Sequence, residues 1–223
     1  MINMLDICAE FETRKAALSG CFAPFFVPMK GGCSPMDRNQ LLDLLASGPV
    51  IAAVKSEDGL AAALESDVSV IFLLSGDILT VADAAARARK AGKRAFVHLD
   101  LVDGLAAREV SVDFIARQTA ADGIISTKAA LTRRGRELGL VAIQRFFLLD
   151  SMALDNIQRQ RPQDADLIEV LPGLMPKIIR RVAQLTGKPV IAGGLISDKE
   201  DVTAALSAGA VAVSTTNPAV WRM

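Results

Sequence analysis

The chain has no tyrosine, one tryptophan, one histidine and three cysteines in 223 residues, and each scarcity closes off a class of function. With no tyrosine, and with its one tryptophan, Trp221, near the carboxyl end, it offers little support for base stacking of the kind single-strand binders use. Lys plus Arg number 25 and Asp plus Glu number 25, so the molecule as a whole does not draw in a polyanion or an anionic membrane. An anionic partner must therefore be met by a local cluster of positive charge. Cys8, Cys21 and Cys33 all precede the part that reads as folded, and their irregular spacing, with His98 far away, matches no zinc pattern. Free thiols in a reducing cytoplasm are the expectation.

Long hydrophobic runs are also missing. Residues 16–28 are the most apolar stretch of the amino-terminal part, but they hold two prolines and fall short of the ~20 residues a bilayer helix needs. Leu18-Ser19-Gly20-Cys21 has the look of a lipoprotein processing site, yet no apolar stretch of roughly 7 to 15 residues precedes it, so no secretion is expected. Residues 1–36 are read as a poorly ordered extension of unassigned role, with Met36 as an alternative start. Residues 37–223 are read as one barrel domain.

From Pro49 onward the sequence repeats a short β-branched run, a polar turn, a helix rich in alanine or leucine, and a glycine. Runs beginning near Val50, Val70, Ala95, Gly123, Val141, Leu167, Pro189 and Val211 give eight strands in βα alternation. Glycines at 92, 139, 187 and 209 stand where left-handed residues end helices. Ser197 and Glu200 have the spacing of a capping box, which predicts a helix starting there. The strands are continuously apolar, as in sheets covered on both sides. No Gly-x-Gly-x-x-Gly turn follows the first strand, which disfavours a dinucleotide-binding open sheet. The expected fold is α/β, a (β/α)8 TIM-type barrel, with residues 37–46 as a short helix plugging its floor and little or no helix after the eighth strand.

In such a barrel the chemistry lies where strands end. Gly193-Gly194 lets backbone amides approach a phosphate, the helix near Ser197 would add its positive end, and Ser214 and Thr215 would offer hydroxyls. These four residues, Gly193, Gly194, Ser214 and Thr215, form the expected phosphate site. His98 and Asp100 are read as neighbours on one strand facing the barrel mouth, together with Glu169. Asp100 and Glu169 would bind ligand hydroxyls, hold a metal or carry catalytic duty, with Lys55 or Arg145 balancing charge, or alternatively form buried ion pairs with Lys55 or Arg145, while His98 is read either as a ligand contact or as a satisfied interior residue. Arg133, Arg134 and Arg136 are candidate RNA-phosphate contacts, with a solvated surface as the plainer reading. No metal-ligand spacing is visible, and neither an organic cofactor nor an oligomeric state is implied, a homo-oligomer remaining open.

The strings VHLDLVDGL (97–105), DGIISTK (122–128), AIQRFFLLDS (142–151), IEVLPG (168–173), AGGLI (192–196) and AVAVSTTNPAVW (210–221) resemble the bacterial glycerol-3-phosphate-responsive antiterminator family, in that family's order. What the resemblance implies is a cytoplasmic, non-catalytic transcription regulator of glycerol metabolism. It would bind glycerol 3-phosphate as effector and act on leader mRNA. Residues 1–48 carry no part of the resemblance. The competing reading on the same scaffold is an isomerase, epimerase or synthase acting on a small phosphorylated substrate, because carboxylates that hold hydroxyls can also move protons.

Overall fold

The computed structural model describes residues 36–159 and 164–223. Residues 1–35 of the expected extension, with its cysteines, lie outside these residues, while Met36, its last residue, is described and buried. The described chain opens with α1 (Arg38–Ser47), held by a capping box in which Asp37 and Gln40 exchange side-chain-to-backbone hydrogen bonds. Seven βα pairs follow in order: β1 (Val50–Val54) with α2 (Glu57–Glu65), β2 (Val70–Leu73) with α3 (Val81–Lys90), and β3 (Arg94–His98) with α4 (Glu109–Gln118). Next come β4 (Gly123–Ser126) with α5 (Ala129–Glu137), β5 (Val141–Phe147) with α6 (Ser151–Arg159), β6 (Leu167–Leu171) with α7 (Pro176–Thr186), and β7 (Val190–Gly193) with α8 (Lys199–Ser207). After β8 (Ala210–Thr215) only a 3-10 turn at Val220–Arg222 remains.

All eight strands run parallel, each paired with the next, and β8 returns to β1 through Val50 opposite Val213 and Ala52 opposite Thr215, closing the barrel. Alternation along each strand sorts side chains to two sides. Ile51, Phe72, Phe96, Ile143, Leu167 and Ala212 are among those that fill the interior, where the Phe72 and Phe96 rings lie 5.7 Å apart. The opposite set packs outward on the helices in two clusters, one built on β1 to β5 and one on β5 to β8. Met36, Leu41 and Leu45 join the interior cluster, so α1 closes the floor as its sequence suggested.

Two local expectations are corrected. The cap of α8 is Asp198, one residue later than the Ser197 spacing suggested: the Asp198 side chain accepts from the Asp201 amide, while Ser197 donates its amide and hydroxyl to the Asp201 carboxylate. Aspartate is as good a cap as serine, and choosing it lets Ser197 fasten the preceding turn. Asp100 is not on β3. The strand ends at His98, and Asp100 sits in a 3-10 turn spanning Leu99–Leu101.

Candidate functional site

Period-two alternation determines what reaches the mouth. Phe96, Ile143, Leu167, Ile191 and Ala212 face inward, so the residues two positions further on, His98, Arg145, Glu169, Gly193 and Ser214, form the uppermost interior layer. Register brings them together: Arg145 is directly opposite Glu169, and Gly193 is opposite Ser214.

Glu169 is the centre of this layer and is fully buried. Arg145 Nε donates to its Oε2 at 2.6 Å and Ser214 Oγ donates to its Oε1 at 2.6 Å. A carboxylate without water is stable only when its charge and lone pairs are answered, and these two bonds do so. The arrangement depends on Gly193, because a Cβ there would stand 2.6 Å from Glu169 Oε1 and 2.7 Å from Ser214 Oγ. The glycine is thus the space into which the carboxylate and hydroxyl fit.

His98 is 2% exposed, and its Nδ1 has no hydrogen-bond partner among the described residues. Its nearest acid, Asp100 Oδ2, is 3.8 Å away, beyond a hydrogen bond. Burial, reinforced by the Arg145 guanidinium and only partly opposed by Asp100, lowers the imidazole pKa to about 4, so the ring is neutral near pH ~7. Asp100 is engaged elsewhere. It accepts from both Ser126 and Thr127, including the Thr127 amide at 2.7 Å, and so fastens the turn after β3 to the end of β4.

The segment after β7 supplies donors. Gly194 and Leu195 have φ of +74° and +64°, and Leu195 is the one non-glycine residue with positive φ among those described. A leucine in that region costs roughly 1–2 kcal/mol, the kind of local strain that collects at ligand sites. The amides of Gly194, Leu195 and Ile196 donate to no other described residue, nor does that of Thr216 at the adjoining end of β8. The loop is held from its carbonyl side instead. Gly173 N donates to Gly194 O at 3.1 Å, and Thr215 Oγ1 donates to Ile196 O at 2.7 Å.

The expected phosphate donors therefore divide. Gly193 and Gly194 lie at the strand end as the sequence suggested, whereas the Ser214 proton is directed to Glu169 and the Thr215 proton to Ile196. Thr215 lies in the outward series with Val213 and latches the loop, its oxygen also accepting from Asn217 N. The first turn of α8 is capped by Asp198 and carries Glu200 and Asp201, so its positive end is already answered by carboxylates. Of the two candidate charge-balancing cations, Arg145 is paired with Glu169, while Lys55, exposed just past β1, enters no ion pair with a described residue. Lys128, which follows the apolar run of β4, is similarly exposed and enters no ion pair with a described residue.

The arginine cluster on α5 is engaged with acids. Arg134 binds Asp113 at 2.8 Å and Glu137 at 3.0 Å, Arg136 binds Asp166 at 3.0 Å, and Arg133 lies 3.8 Å from Glu109 and 4.0 Å from Asp164. Charge density in the sequence could not show this, because all of the partners except Glu137 come from α4 and from the approach to β6. Among the described residues no group of three His, Cys, Asp or Glu is placed to hold a metal ion, and no helix is long and apolar enough to cross a membrane.

Residues 50–221 match the family model described as glycerol-3-phosphate responsive antiterminator. The protein is 45% identical over 184 residues to the Escherichia coli K12 "Uncharacterized protein YgcP", a match covering 82% of this chain and 96% of that protein. Among solved structures it is similar to a glycerol uptake operon antiterminator regulatory protein from Listeria monocytogenes, at 33% identity and TM-score 0.72 over 76% of this chain and 92% of that one. It is also similar to a glycerol uptake operon antiterminator-related protein from Thermotoga maritima, at 33% identity and TM-score 0.69, covering 78% and 98%.

Proposed function

The chain belongs to the glycerol-3-phosphate responsive antiterminator family, and we propose that it is a cytoplasmic sensor that binds glycerol 3-phosphate at its barrel mouth and thereby controls its action on leader mRNA of glycerol-utilisation genes. The observation that carries the reading is the row of amides at Gly194, Leu195 and Ile196, joined by Thr216, none of which donates to a described residue. Consecutive amides at a positive-φ turn can converge on a phosphate, and Lys55, exposed just past β1 and in no ion pair with a described residue, would add positive charge. Gly194 gives the turn its positive φ, and Gly193 leaves the room beneath it that Glu169 and Ser214 occupy.

The glycerol end is read by the layer beneath. His98 Nδ1 is a buried polar atom with no hydrogen-bond partner among the described residues, which a ligand hydroxyl would satisfy. Asp100 and Glu169 shape this part without being free bases, since every oxygen of both accepts a hydrogen bond. That engagement favours a binding wall over proton transfer, and so a regulator over an enzyme on the same scaffold.

Titration calorimetry with glycerol 3-phosphate, glycerol and inorganic phosphate tests the reading. Glycerol 3-phosphate is expected to bind most tightly and to be recovered unchanged. Equal affinity for inorganic phosphate would remove the glycerol subsite, and turnover would replace the regulator with an enzyme.

A further inference from the structure

A sensor of this kind must meet RNA somewhere, and the α5 arginines are engaged with acids. Helix α7 differs. Its sequence, Pro-Lys-Ile-Ile-Arg-Arg-Val-Ala-Gln-Leu-Thr, contains no acidic residue. Ile179 and Val182 are buried on one side, while Lys177, Arg180 and Arg181 are exposed on the other. Spacings of i, i+3 and i+4 place those three cations in one stripe, neighbours ~5–6 Å apart at their Cβ atoms. None of them enters an ion pair with a described residue.

The flanking helices do not neutralise the stripe. On α6 the acid is Asp155, accompanied by Arg159. On α8 Asp198 and Asp201 are taken up by the cap, and Glu200 is accompanied by Lys199. In a chain of zero net charge, three adjacent unanswered cations on one rigid helix form a local attraction that the global balance does not offer.

The stripe is also joined to the effector loop. Helix α7 begins at Pro176, and three residues earlier Gly173 donates its amide to Gly194 O. Gly173 lies so close that a Cβ there would be 3.1 Å from both Ala192 C and Gly193 N. Movement of the Gly194 turn is therefore transmitted to the segment that sets the first turn of α7.

We infer that Lys177, Arg180 and Arg181 form the surface that contacts RNA phosphates, and that the Gly173–Gly194 hydrogen bond couples it to the effector. This rests on the effector reading above and locates its RNA partner. The test is fluorescence anisotropy with a labelled glycerol-operon leader RNA, using the full chain as wild type, as the triple variant Lys177→Ala, Arg180→Ala, Arg181→Ala, and as Arg133→Ala. Calorimetry with glycerol 3-phosphate on the same three proteins runs in parallel. Alanine retains helix propensity at exposed positions, so the triple variant keeps its fold.

The triple variant should lose roughly tenfold or more in RNA affinity, and its log–log salt slope should fall by about 2, since each single-strand phosphate contact is worth ~0.7. Arg133→Ala should bind RNA nearly as wild type does. All three proteins should bind glycerol 3-phosphate alike. Unchanged RNA affinity in the triple variant overturns the inference, as does an equal loss in Arg133→Ala or a wild type that binds no RNA. Loss of RNA binding in the triple variant with no glycerol 3-phosphate binding by any of the proteins would keep the surface and remove the effector reading.

Discussion

Gly193→Ala isolates the packing on which the barrel mouth depends. Gly193 is outside the positive-φ set, so alanine is sterically acceptable to its backbone, and only the added methyl matters. That methyl would stand 2.6 Å from Glu169 Oε1 and 2.7 Å from Ser214 Oγ. A glutamate head would ordinarily swing aside at little cost. This one is fully buried and held by Arg145 and Ser214, each at 2.6 Å. Displacing it forfeits a hydrogen bond to a charged group, about 1.5–3 kcal/mol, and leaves a buried carboxylate partly unanswered, which brings the expected loss to roughly 2–4 kcal/mol. Urea denaturation should report that loss, and calorimetry should show weakened binding of glycerol 3-phosphate. In a Ser214→Ala background one of the two clashes is gone, so the added methyl should cost at least about 1 kcal/mol less. A Gly193→Ala protein as stable as wild type, or a penalty unchanged by Ser214→Ala, would refute the reasoning.

Substitutions at His98 and Arg145 test the same layer, and one at Gly194 tests the turn after β7. His98 has a folded-state pKa of about 4 against 6.5 in the unfolded chain, so it is neutral in both states at higher pH and adds nothing to stability there. As pH falls below about 6.5 only the unfolded chain takes up the proton, and wild type should lose roughly 2 kcal/mol more than His98→Gln by pH ~5, read from urea titrations. Arg145→Ala should cost about 3–5 kcal/mol in the same assay, because it strands the Glu169 charge, while replacing both partners with apolar residues should recover much of that loss. Gly194→Asp sets a carboxylate against the incoming phosphate at a position where φ is +74°, a region aspartate tolerates better than most residues. It should abolish glycerol 3-phosphate binding while leaving the circular dichroism spectrum near wild type.

The fold was legible because its signals are local and redundant. Eight apolar runs, four glycines with positive φ just after helices, and the apolar face of residues 37–46 each stated one piece of the barrel, and they agreed. The site was legible by position more than by partner. Alternation brings His98, Arg145, Glu169, Gly193 and Ser214 into one layer, but which oxygen receives which proton depends on the lateral register of β5 to β8, which the sequence does not spell out. That is why Ser214 and Thr215 read as free hydroxyls and prove to be directed to Glu169 and Ile196. Asp100 misled for a different reason: Leu99 and Leu101 extend the apolar rhythm past His98, although the chain has already turned. The α5 arginines drew notice by density, while the more widely spaced Lys177, Arg180 and Arg181 did not, and only tertiary neighbours separate an engaged cluster from an unanswered one. Leu195 left no signal at all, since nothing in its identity marks a positive φ.

In the proposed sensor the amides after β7 receive the phosphate. Amide-resolved NMR of the full chain titrated with glycerol 3-phosphate observes them individually. Gly194, Leu195, Ile196 and Thr216 should show saturable downfield shifts, with glycerol leaving all four in place. Tight binding of glycerol 3-phosphate with these four resonances unmoved would contradict this assignment.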